Sequence, residues 1–340
     1  GTPGSLKPLT ESIPTARLPR QFLAFFAERL ARGQSLALVA VIATDGSSYS
    51  KPGPQLLIDA AGEFLGLLSG GCLEGDLADR AMKTLQTLQP AIVEYDLRAD
   101  DELFGLGVGC EGVMRVLIQP LTGESGYEPL STAINKLERE SCVDIDVASE
   151  LGTTRCRWLA PASVLILGAG PDVDPLLEMS NSLGWNVTVN DHRPAYIERL
   201  KSNAVSAELA GSPAGKLDQA IELSRYDAAI VMSHNLTADR AYLRQLADSD
   251  IEFVGLLGPP HRRDRLLADL DDVAVALAQR LRSPVGRQIG GRGPAAIALE
   301  VVVELQEYFC EIDQKLSSAS RSAGVSISID AASNLTATTA

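Results

Sequence analysis

The sequence has few cysteines, and they form none of the patterns that mark metal-binding or disulfide-linked domains. Five cysteines occur in 340 residues, and no two of them form a C-x-x-C pair, which argues against a structural zinc site. Unpaired cysteines suit a reducing compartment. The sequence also lacks a run of 18 apolar residues and a charged-then-apolar signal pattern at its start. We therefore expect a cytoplasmic protein without membrane insertion.

Positive charge is scarce as well. The sequence contains 30 Lys and Arg residues and 44 Asp and Glu residues, which gives a formal net charge of −14. Nucleic acids and anionic membranes would be repelled at long range, so neither is expected as a partner. A phosphate ligand would have to be held by local groups. The length is sufficient for two hydrophobic cores, so two domains are expected.

The most informative segment is residues 65–74, LGLLSGGCLE, in which an apolar run ends in Gly70, Gly71 and Cys72. Leucines and alanines recur at three or four residues from Leu73 onward, which predicts a helix starting here. A thiol in the first turn faces unpaired N–H groups and the positive end of the helix dipole, and both favour the thiolate. Such a cysteine can act as nucleophile, metal ligand or sulfur carrier. The alternative is a small buried residue in a tight turn.

Upstream of this segment the sequence predicts a buried strand over residues 36–43 and a hairpin over residues 55–68. The loop between them, residues 44–53, contains Ser47 and Ser48. Serine hydroxyls and backbone amides in such a loop can hold an oxyanion. A solvated connector is the alternative, because Ser, Gly and Pro are common in connections.

A second glycine-rich turn, residues 105–112, carries Cys110 directly before an apolar strand. Dense glycine indicates positive φ or close backbone approach. Glu111 follows Cys110, much as Glu74 lies close to Cys72. The other three cysteines lie in ordinary strand or helix patterns and are predicted to be core residues: Cys142, Cys156 and Cys310.

A second domain begins near residue 162. An all-apolar strand, residues 163–167, is followed by Gly168 and Gly170, a helix, and a second strand, residues 186–190, that ends at Asp191. This is the strand, glycine turn, helix, strand order of a Rossmann unit, with an acidic residue where a ribose hydroxyl would be read.

The glycine turn departs from the dinucleotide-binding pattern. Val173 replaces the third glycine, and Asp172 and Asp174 put negative charge where a pyrophosphate would lie. Binding of NAD or NADP is possible from the fold but is expected to be weak or absent.

Two later strands, residues 227–232 and 251–257, end in polar loops. In an open parallel sheet, ligands bind beyond the carboxyl ends of the strands, so His234 is a candidate acid or base there. Arg262 and Arg263 open a predicted helix, where anions bind readily. The alternatives are a histidine that serves packing and arginines that are solvated.

The C-terminal part contains one long predicted helix, residues 295–309. Ile297, Val301, Leu305 and Tyr308 are expected to share a face. Beyond Lys315 the chain is rich in Ser, Ala and Thr and is predicted to be a flexible or weakly docked tail.

Several of these motifs resemble, in family order, those of the xanthine dehydrogenase accessory family, also called XdhC/CoxI. The resemblance spans most of residues 20–315. It rests on six segments, namely TDGSSYSKPG (44–53), SGGCLE (69–74), GVGCEG (107–112), GAGPDV (168–173), FVGLLGPPHRR (253–263) and SPVGRQIGGRGPAAIALE (283–300).

Together these patterns predict an α/β protein with three parts: an N-terminal mixed α/β XdhC/CoxI-type domain (residues 20–155), a Rossmann-like domain with a parallel sheet (160–315) and a flexible tail (316–340). The resemblance implies an accessory protein, or chaperone, more than an enzyme. Such a protein transiently binds the molybdenum cofactor, assists its sulfuration and inserts it into an apo molybdenum hydroxylase such as xanthine dehydrogenase. A homodimer and a cysteine desulfurase as a further partner are also expected.

The resemblance places Cys72, Glu74 and Cys110 in the reactive centre, with Cys72 as the molybdenum contact. The expected cofactor-binding residues are Ser47, Ser48, Gly70, Gly71, Gly168, Gly170, Asp191, His234, Arg262 and Arg263. The alternative from another class is an NAD(P)-dependent oxidoreductase, for which the Rossmann unit is the positive evidence.

Overall fold

The computed structural model describes residues 13–46, 53–66, 68, 73–96, 112–149, 152–270, 273–319 and 324–328. The chain divides into two compact units. The first combines the chain up to Ala160 with the chain from Asp313 onward, and the second runs from Pro161 to Ile312.

The first unit contains two β-sheets and three helices within the described residues. Its elements are β1 (Thr15–Arg17), α1 (Arg20–Ala31), β2 (Leu36–Gly46), β3 (Gly53–Asp59), β4 (Phe64–Gly66), α2 (Glu74–Thr87), β5 (Ala91–Asp96), β6 (Gly112–Leu121), α3 (Leu130–Leu137), β7 (Cys142–Ser149), β8 (Gly152–Leu159) and the last strand, β15 (Gly324–Ser328). One sheet is antiparallel with the order β4-β3-β2-β6-β5. The other is mixed, with the order β1-β8-β7-β15.

Strand β2 separates two hydrophobic cores because successive side chains of a strand point to opposite faces. Leu38 packs in the core that contains Phe22 of α1 and Trp158 of β8. Its neighbour Val39 packs in the core that contains Leu77 of α2. The central strand is therefore buried on both sides, which explains why its sequence is apolar from Leu36 to Ala43.

The second unit is a Rossmann-like α/β fold, as the sequence predicts. Its elements are β9 (Ser163–Leu167), α4 (Asp174–Ser182), β10 (Asn186–Asn190), α5 (Pro194–Ser202), β11 (Glu208–Ala210), α6 (Leu217–Ala220), β12 (Ala228–Val231), α7 (Leu236–Ala247), β13 (Phe253–Leu256), α8 (Pro260–Ala268), α9 (Ala274–Leu277), β14 (Leu281–Arg282) and α10 (Pro294–Ser317). Single 3₁₀ turns occur at Pro171–Val173, Ala214–Lys216 and Leu223–Arg225.

All pairings in this sheet are parallel, and the strand order is β11-β10-β9-β12-β13-β14. The order reverses direction between β9 and β12, which is the topological switch point where such sheets bind ligands. Val164 of β9 packs with α4 and α10, whereas its neighbour Leu165 packs with α7. The sheet is thus covered on both faces.

The long C-terminal helix differs from its sequence prediction. It extends to Ser317, and its buried stripe consists of Ala298, Val301, Val302, Leu305 and Phe309. Ile297, predicted to lie on the buried face, is 42% exposed. The spacing alone fixes the period of the stripe but not which of two adjacent positions points inward.

Two further expectations differ from the structure. The predicted flexible tail, residues 316–340, contains a strand, since Gly324–Ser328 pairs with β7 in parallel. Of the three cysteines predicted in the core, Cys156 is buried, Cys142 is intermediate, and Cys310 is exposed on α10. Within the described residues, the helices are too short or too polar for a membrane span.

Candidate functional site

The carboxyl ends of β9, β10, β12 and β13 lie along one edge of the parallel sheet and define a crevice at the switch point. Gly168, at the end of β9, has a φ of +137°. A Cβ atom at this position would lie 2.5 Å from the backbone oxygen of Met232, beyond β12. Only glycine allows this close approach, so Gly168 brings the glycine turn against the end of the neighbouring strand.

Asp191, at the end of β10, is completely buried and engaged on both carboxylate oxygens. One oxygen accepts hydrogen bonds from the backbone N–H of Arg193 at 2.8 Å and from its Nε at 2.9 Å. The other accepts from the backbone N–H of Ala169 at 2.7 Å and from Arg193 Nη2 at 2.8 Å. The carboxylate that would read a ribose hydroxyl is therefore already satisfied by the chain itself.

The charge state of Asp191 follows from these contacts. Burial alone would raise its pKa, but the hydrogen bonds from Arg193 and from the backbone N–H groups outweigh burial, so the pKa lies below the usual value. Arg193 also donates to the backbone oxygen of Ser233 at 3.2 Å. This arginine therefore links the end of β10 to the loop after β12, across the crevice.

A second link crosses the crevice from the glycine turn. Asp172 folds back over this turn, since a Cβ on Gly170 would lie 2.7 Å from Asp172 Oδ1. Asp172 Oδ2 lies 2.6 Å from His234 Nε2. His234 has a left-handed φ of +60°, which is uncommon for a residue other than glycine.

The two partners of this link shift each other's pKa. The hydrogen bond to Asp172 raises the pKa of His234, against the opposing effect of burial. For Asp172, burial would raise the pKa, but the hydrogen bond and the charge of His234 outweigh it and lower the pKa. The contact therefore favours the charged form of both partners, of which the histidine is 54% exposed and the carboxylate 25% exposed.

Arg199 of α5 fixes the glycine turn from the other side. Its Nη1 and Nη2 lie 2.7 and 2.9 Å from the carboxylate oxygens of Asp174. Nη2 also donates to the backbone oxygens of Ala169 and Gly170, both at 3.2 Å. Asp172 and Asp174, which the sequence marked as obstacles to a pyrophosphate, are thus both committed to internal ion pairs.

The predicted basic residues at the start of α8 also have internal partners. Arg262 Nη2 lies 2.6 Å from the buried Asp239, which in turn accepts a hydrogen bond from the backbone N–H of Ser233 at 3.2 Å. Arg263 donates to Asp264 and to the backbone oxygen of Ser283. The contacts of Arg262 and Asp239 stabilise the loop that carries His234.

An apolar cavity of about 110 Å³ lies beside the crevice in the same unit. Its walls come from α4, β12, the end of β13 and the first turns of α10, and Asp172 is the charged residue in its lining. Sequence reasoning missed this cavity, because its walls come from segments about 130 residues apart along the chain.

In the first unit, Glu74 is the predicted reactive-centre residue whose position is described. It is 2% exposed at the start of α2, and its carboxylate accepts hydrogen bonds from the backbone N–H of Leu68 at 2.8 Å and of Leu73 at 3.2 Å. These two residues flank the glycine-cysteine segment. The remaining predicted residues of this unit lie outside the described part of the chain, namely Ser47, Ser48, Gly70, Gly71, Cys72 and Cys110.

Among the described residues, no group of three or more His, Cys, Asp or Glu side chains is arranged to hold a metal ion.

The fold and the crevice define a protein with a Rossmann-like unit whose switch point is bridged by its own side chains. Comparison with known families identifies it further. Residues 164–305 match the XdhC Rossmann domain, and residues 29–96 match the XdhC and CoxI family. The chain belongs to the XdhC/CoxI family.

Individual relatives agree with this assignment. The chain is 29% identical over 311 residues to a protein of Bacillus subtilis named as a probable subunit of xanthine dehydrogenase, covering 80% of this chain and 92% of the relative. It is 20% identical over 302 residues to the molybdenum cofactor insertion chaperone PaoD of Escherichia coli, covering 84% and 87%. A crystal structure described as a xanthine dehydrogenase from Bacillus halodurans superimposes with a TM-score of 0.70 at 25% identity, covering 86% of this chain and 96% of that one.

Proposed function

We propose that this protein binds the molybdenum cofactor as cargo and takes part in its maturation and insertion into an apo molybdenum hydroxylase. The family membership carries the proposal, and the name of the relative PaoD describes this activity. Assistance with sulfuration, a cysteine desulfurase as a second partner, a homodimer and a cytoplasmic location belong to the same proposal.

The crevice argues against the alternative of an NAD(P)-dependent oxidoreductase. A dinucleotide bound to a Rossmann fold places its pyrophosphate on the glycine turn and its ribose on the acidic residue after the second strand. Here Asp172 covers the turn, and Asp191 is held by Arg193. A ribose on Asp191 would require the pair between the buried Asp191 and Arg193 to break, and a pyrophosphate on the turn would meet the negative charge of Asp172.

A calorimetric titration of the purified protein with NAD⁺ and NADP⁺ tests this argument. We expect no binding tighter than a Kd of about 1 mM, which corresponds to only about 4 kcal/mol of binding free energy. Micromolar binding of either nucleotide would favour the oxidoreductase instead.

Cys72 is the proposed contact to the molybdenum centre or the carrier of its sulfur, and Cys110 is a further proposed residue of the reactive centre. Glu74 has a positioning role in this proposal, because its carboxylate accepts hydrogen bonds from residues on both sides of the glycine-cysteine segment. The thiolate is the form of cysteine that acts as ligand and nucleophile.

The experiment replaces Cys72 by serine in a host that makes the cofactor. We expect Cys72→Ser to lose bound molybdenum and pterin, or to fail in activating the apo-hydroxylase, while circular dichroism stays unchanged. Cys310→Ser is the matched control, because Cys310 is exposed on α10 and should be dispensable. Unchanged cofactor retention and unchanged activation in Cys72→Ser would contradict the proposed role.

A further inference from the structure

The apolar cavity beside the crevice has the form of a ligand site. Leu176, Ile230 and Met232 contribute one part of the wall, and Ile297, Ala298 and Val301 on one face of α10 contribute the other. Ligand pockets in proteins are concave and mostly apolar, with a few polar groups that fix orientation. Asp172 is the charged residue of this lining.

The size of the cavity limits what can enter. An apolar cavity of roughly 150 Å³ holds one benzene molecule. A cavity of about 110 Å³ is smaller than that, so it accepts the edge of one flat ring, and the rest of the ligand lies outside, past the partly exposed Ile297. The thioether of Met232 favours an aromatic ring as the occupant.

Asp172 selects the edge of that ring. Its lowered pKa keeps it ionised at neutral pH, so its carboxylate is an acceptor for hydrogen bonds. Carboxylates are recognised most strongly by two parallel N–H donors, as in a bidentate pair with arginine. Among flat heterocycles, the 2-aminopyrimidinone edge of pterins and of guanine presents such a pair of donors.

His234 is hydrogen-bonded to one oxygen of this carboxylate but can move away from it. Its side chain is 54% exposed, and its contact to Asp172 Oδ2 is a single hydrogen bond. A ligand edge that donates to Asp172 would replace this bond, while His234 turns toward solvent.

We propose that the cavity binds a flat heterocycle through a 2-aminopyrimidinone edge, with Asp172 as the acceptor and His234 as a latch that the ligand displaces. The inference rests on the proposed function in one respect: the pterin of the molybdenum cofactor is then the source of this edge. A guanine nucleotide is the other source with the same chemistry.

Titration of the full chain, purified free of cofactor, with pterin, guanosine and inosine tests the site. Guanosine and inosine differ only in the 2-amino group. We expect guanosine to bind about ten-fold more tightly than inosine, as for loss of one hydrogen bond to a charged group. Pterin binding more tightly than guanosine assigns the site to the cofactor, and the reverse assigns it to a nucleotide. Equal binding of guanosine and inosine, or no binding of pterin and guanosine, overturns the proposal.

Two residues of similar size on α10 provide a matched pair of variants. Ile297 and Leu299 are both 42% exposed, but only Ile297 lines the cavity. We expect Ile297→Glu to weaken pterin binding about ten-fold and Leu299→Glu to change it less than about two-fold. Unchanged binding in Ile297→Glu overturns the proposed position of the site.

The latch is tested by a second pair. Asp172→Ala removes the acceptor and should weaken pterin binding about ten-fold, whereas His234→Ala removes the competitor and should leave binding equal or tighter. Weaker binding in His234→Ala contradicts the latch. Thermal unfolding of each variant checks that it is folded.

The inference and the proposed function fail separately. If Ile297→Glu binds pterin normally but Cys72→Ser loses the molybdenum cofactor, the cavity is wrong and the chaperone function stands. If pterin binding depends on Ile297 and Asp172 but the wild-type protein neither retains molybdenum nor activates a hydroxylase, the cavity stands and the chaperone function is wrong.

Discussion

Two acidic residues in different units are held by ion pairs of opposite character. Asp144 and Arg157, on the paired strands β7 and β8, are both completely buried. Asp172 and His234, at the switch point of the Rossmann unit, are 25% and 54% exposed. Breaking a buried pair leaves an uncompensated charge in a low-dielectric environment, whereas water replaces an exposed partner at little cost. The first pair is therefore expected to stabilise the fold. The second pair is expected to break and re-form at little cost in free energy.

Asp191 lies between these extremes. Its carboxylate is fully buried, as in the first pair, but its partner Arg193 is 33% exposed. The three carboxylates thus form a series in which the exposed fraction of the cationic partner increases. We expect the effect of mutation on stability to decrease along the same series.

The largest effect is expected from Arg157→Met. The variant leaves Asp144 buried without its guanidinium, which forms hydrogen bonds of 2.6 and 2.9 Å with the carboxylate. It also removes donors to the backbone oxygens of Leu316 and Ala319, at and just beyond the end of α10. We expect a loss of about 3–5 kcal/mol in the free energy of unfolding, measured by urea denaturation.

The neighbouring pair provides the control. Arg155 pairs with Asp146 on the same two strands, but its side chain is 37% exposed. Arg155→Met should therefore lower stability much less than Arg157→Met. Similar losses in both variants would show that burial does not distinguish the two pairs.

An intermediate effect is expected from Asp191→Ala. The backbone N–H of Ala169 loses its acceptor, while Arg193 keeps its contacts to Ser233 and to the ring of Tyr196 and has partial access to water. We expect a loss of about 2–3 kcal/mol in urea denaturation. Asp174→Ala is the control, since its pair with Arg199 is partly exposed on both sides and should contribute below about 1 kcal/mol. A loss no larger than that of the control would show that the buried hydrogen bonds of Asp191 contribute no more to stability than an exposed ion pair.

The smallest effect is expected from His234→Ala, and it depends on pH. The pKa of His234 is raised, so its contribution is complete below its unfolded value of about 6.5 and disappears as pH rises through the higher folded value. The pKa of Asp172 is lowered, so its contribution is complete above about 3.9 and disappears as pH falls through the lower folded value.

The wild-type protein and His234→Ala should therefore differ most in Tm between about pH 4 and 6.5 and converge as the pH rises above the folded-state pKa of His234. Because solvent screens the pair, the two proteins should differ by less than about 0.5 kcal/mol in the free energy of unfolding. Asp239 adds to the rise in the pKa of His234, and Arg262 opposes it. A pH-independent difference would indicate a packing role for His234.

Much of the Rossmann unit was predictable from the sequence. The strand Ser163–Leu167 has the predicted bounds, because a short apolar run that ends at a glycine turn leaves little choice. The strands β12 and β13 are each shorter than predicted, by one or two residues at their ends. Strand ends depend on pairing partners, which periodicity does not contain.

The partners of the site residues were not predictable. The sequence marked Asp172 as a negative charge in the wrong place for a pyrophosphate, but His234 lies 62 positions away. Likewise the sequence pattern indicates that Asp191 binds a ribose, whereas in the structure the Asp191 carboxylate accepts hydrogen bonds from Arg193. Which carboxylate pairs with which cation is decided by loop geometry in three dimensions, and a single sequence does not specify it.

The C-terminal strand was missed because composition hid its pattern. Valine and isoleucine alternate with serine in Gly324–Ser328, which is a period of two, but the Ser-rich surroundings indicated a tail. The strand forms because β7 offers an unpaired edge, and the availability of an edge is a property of the folded sheet.

This last strand has a practical meaning for handling the protein. In the order β1-β8-β7-β15, the chain covers the edge of β7 with its own residues. A protein shortened before Gly324 would expose a row of backbone N–H and C=O groups, which act as a template for edge-to-edge aggregation. Deletions and affinity tags that displace this segment would therefore lower solubility even where they leave both hydrophobic cores intact.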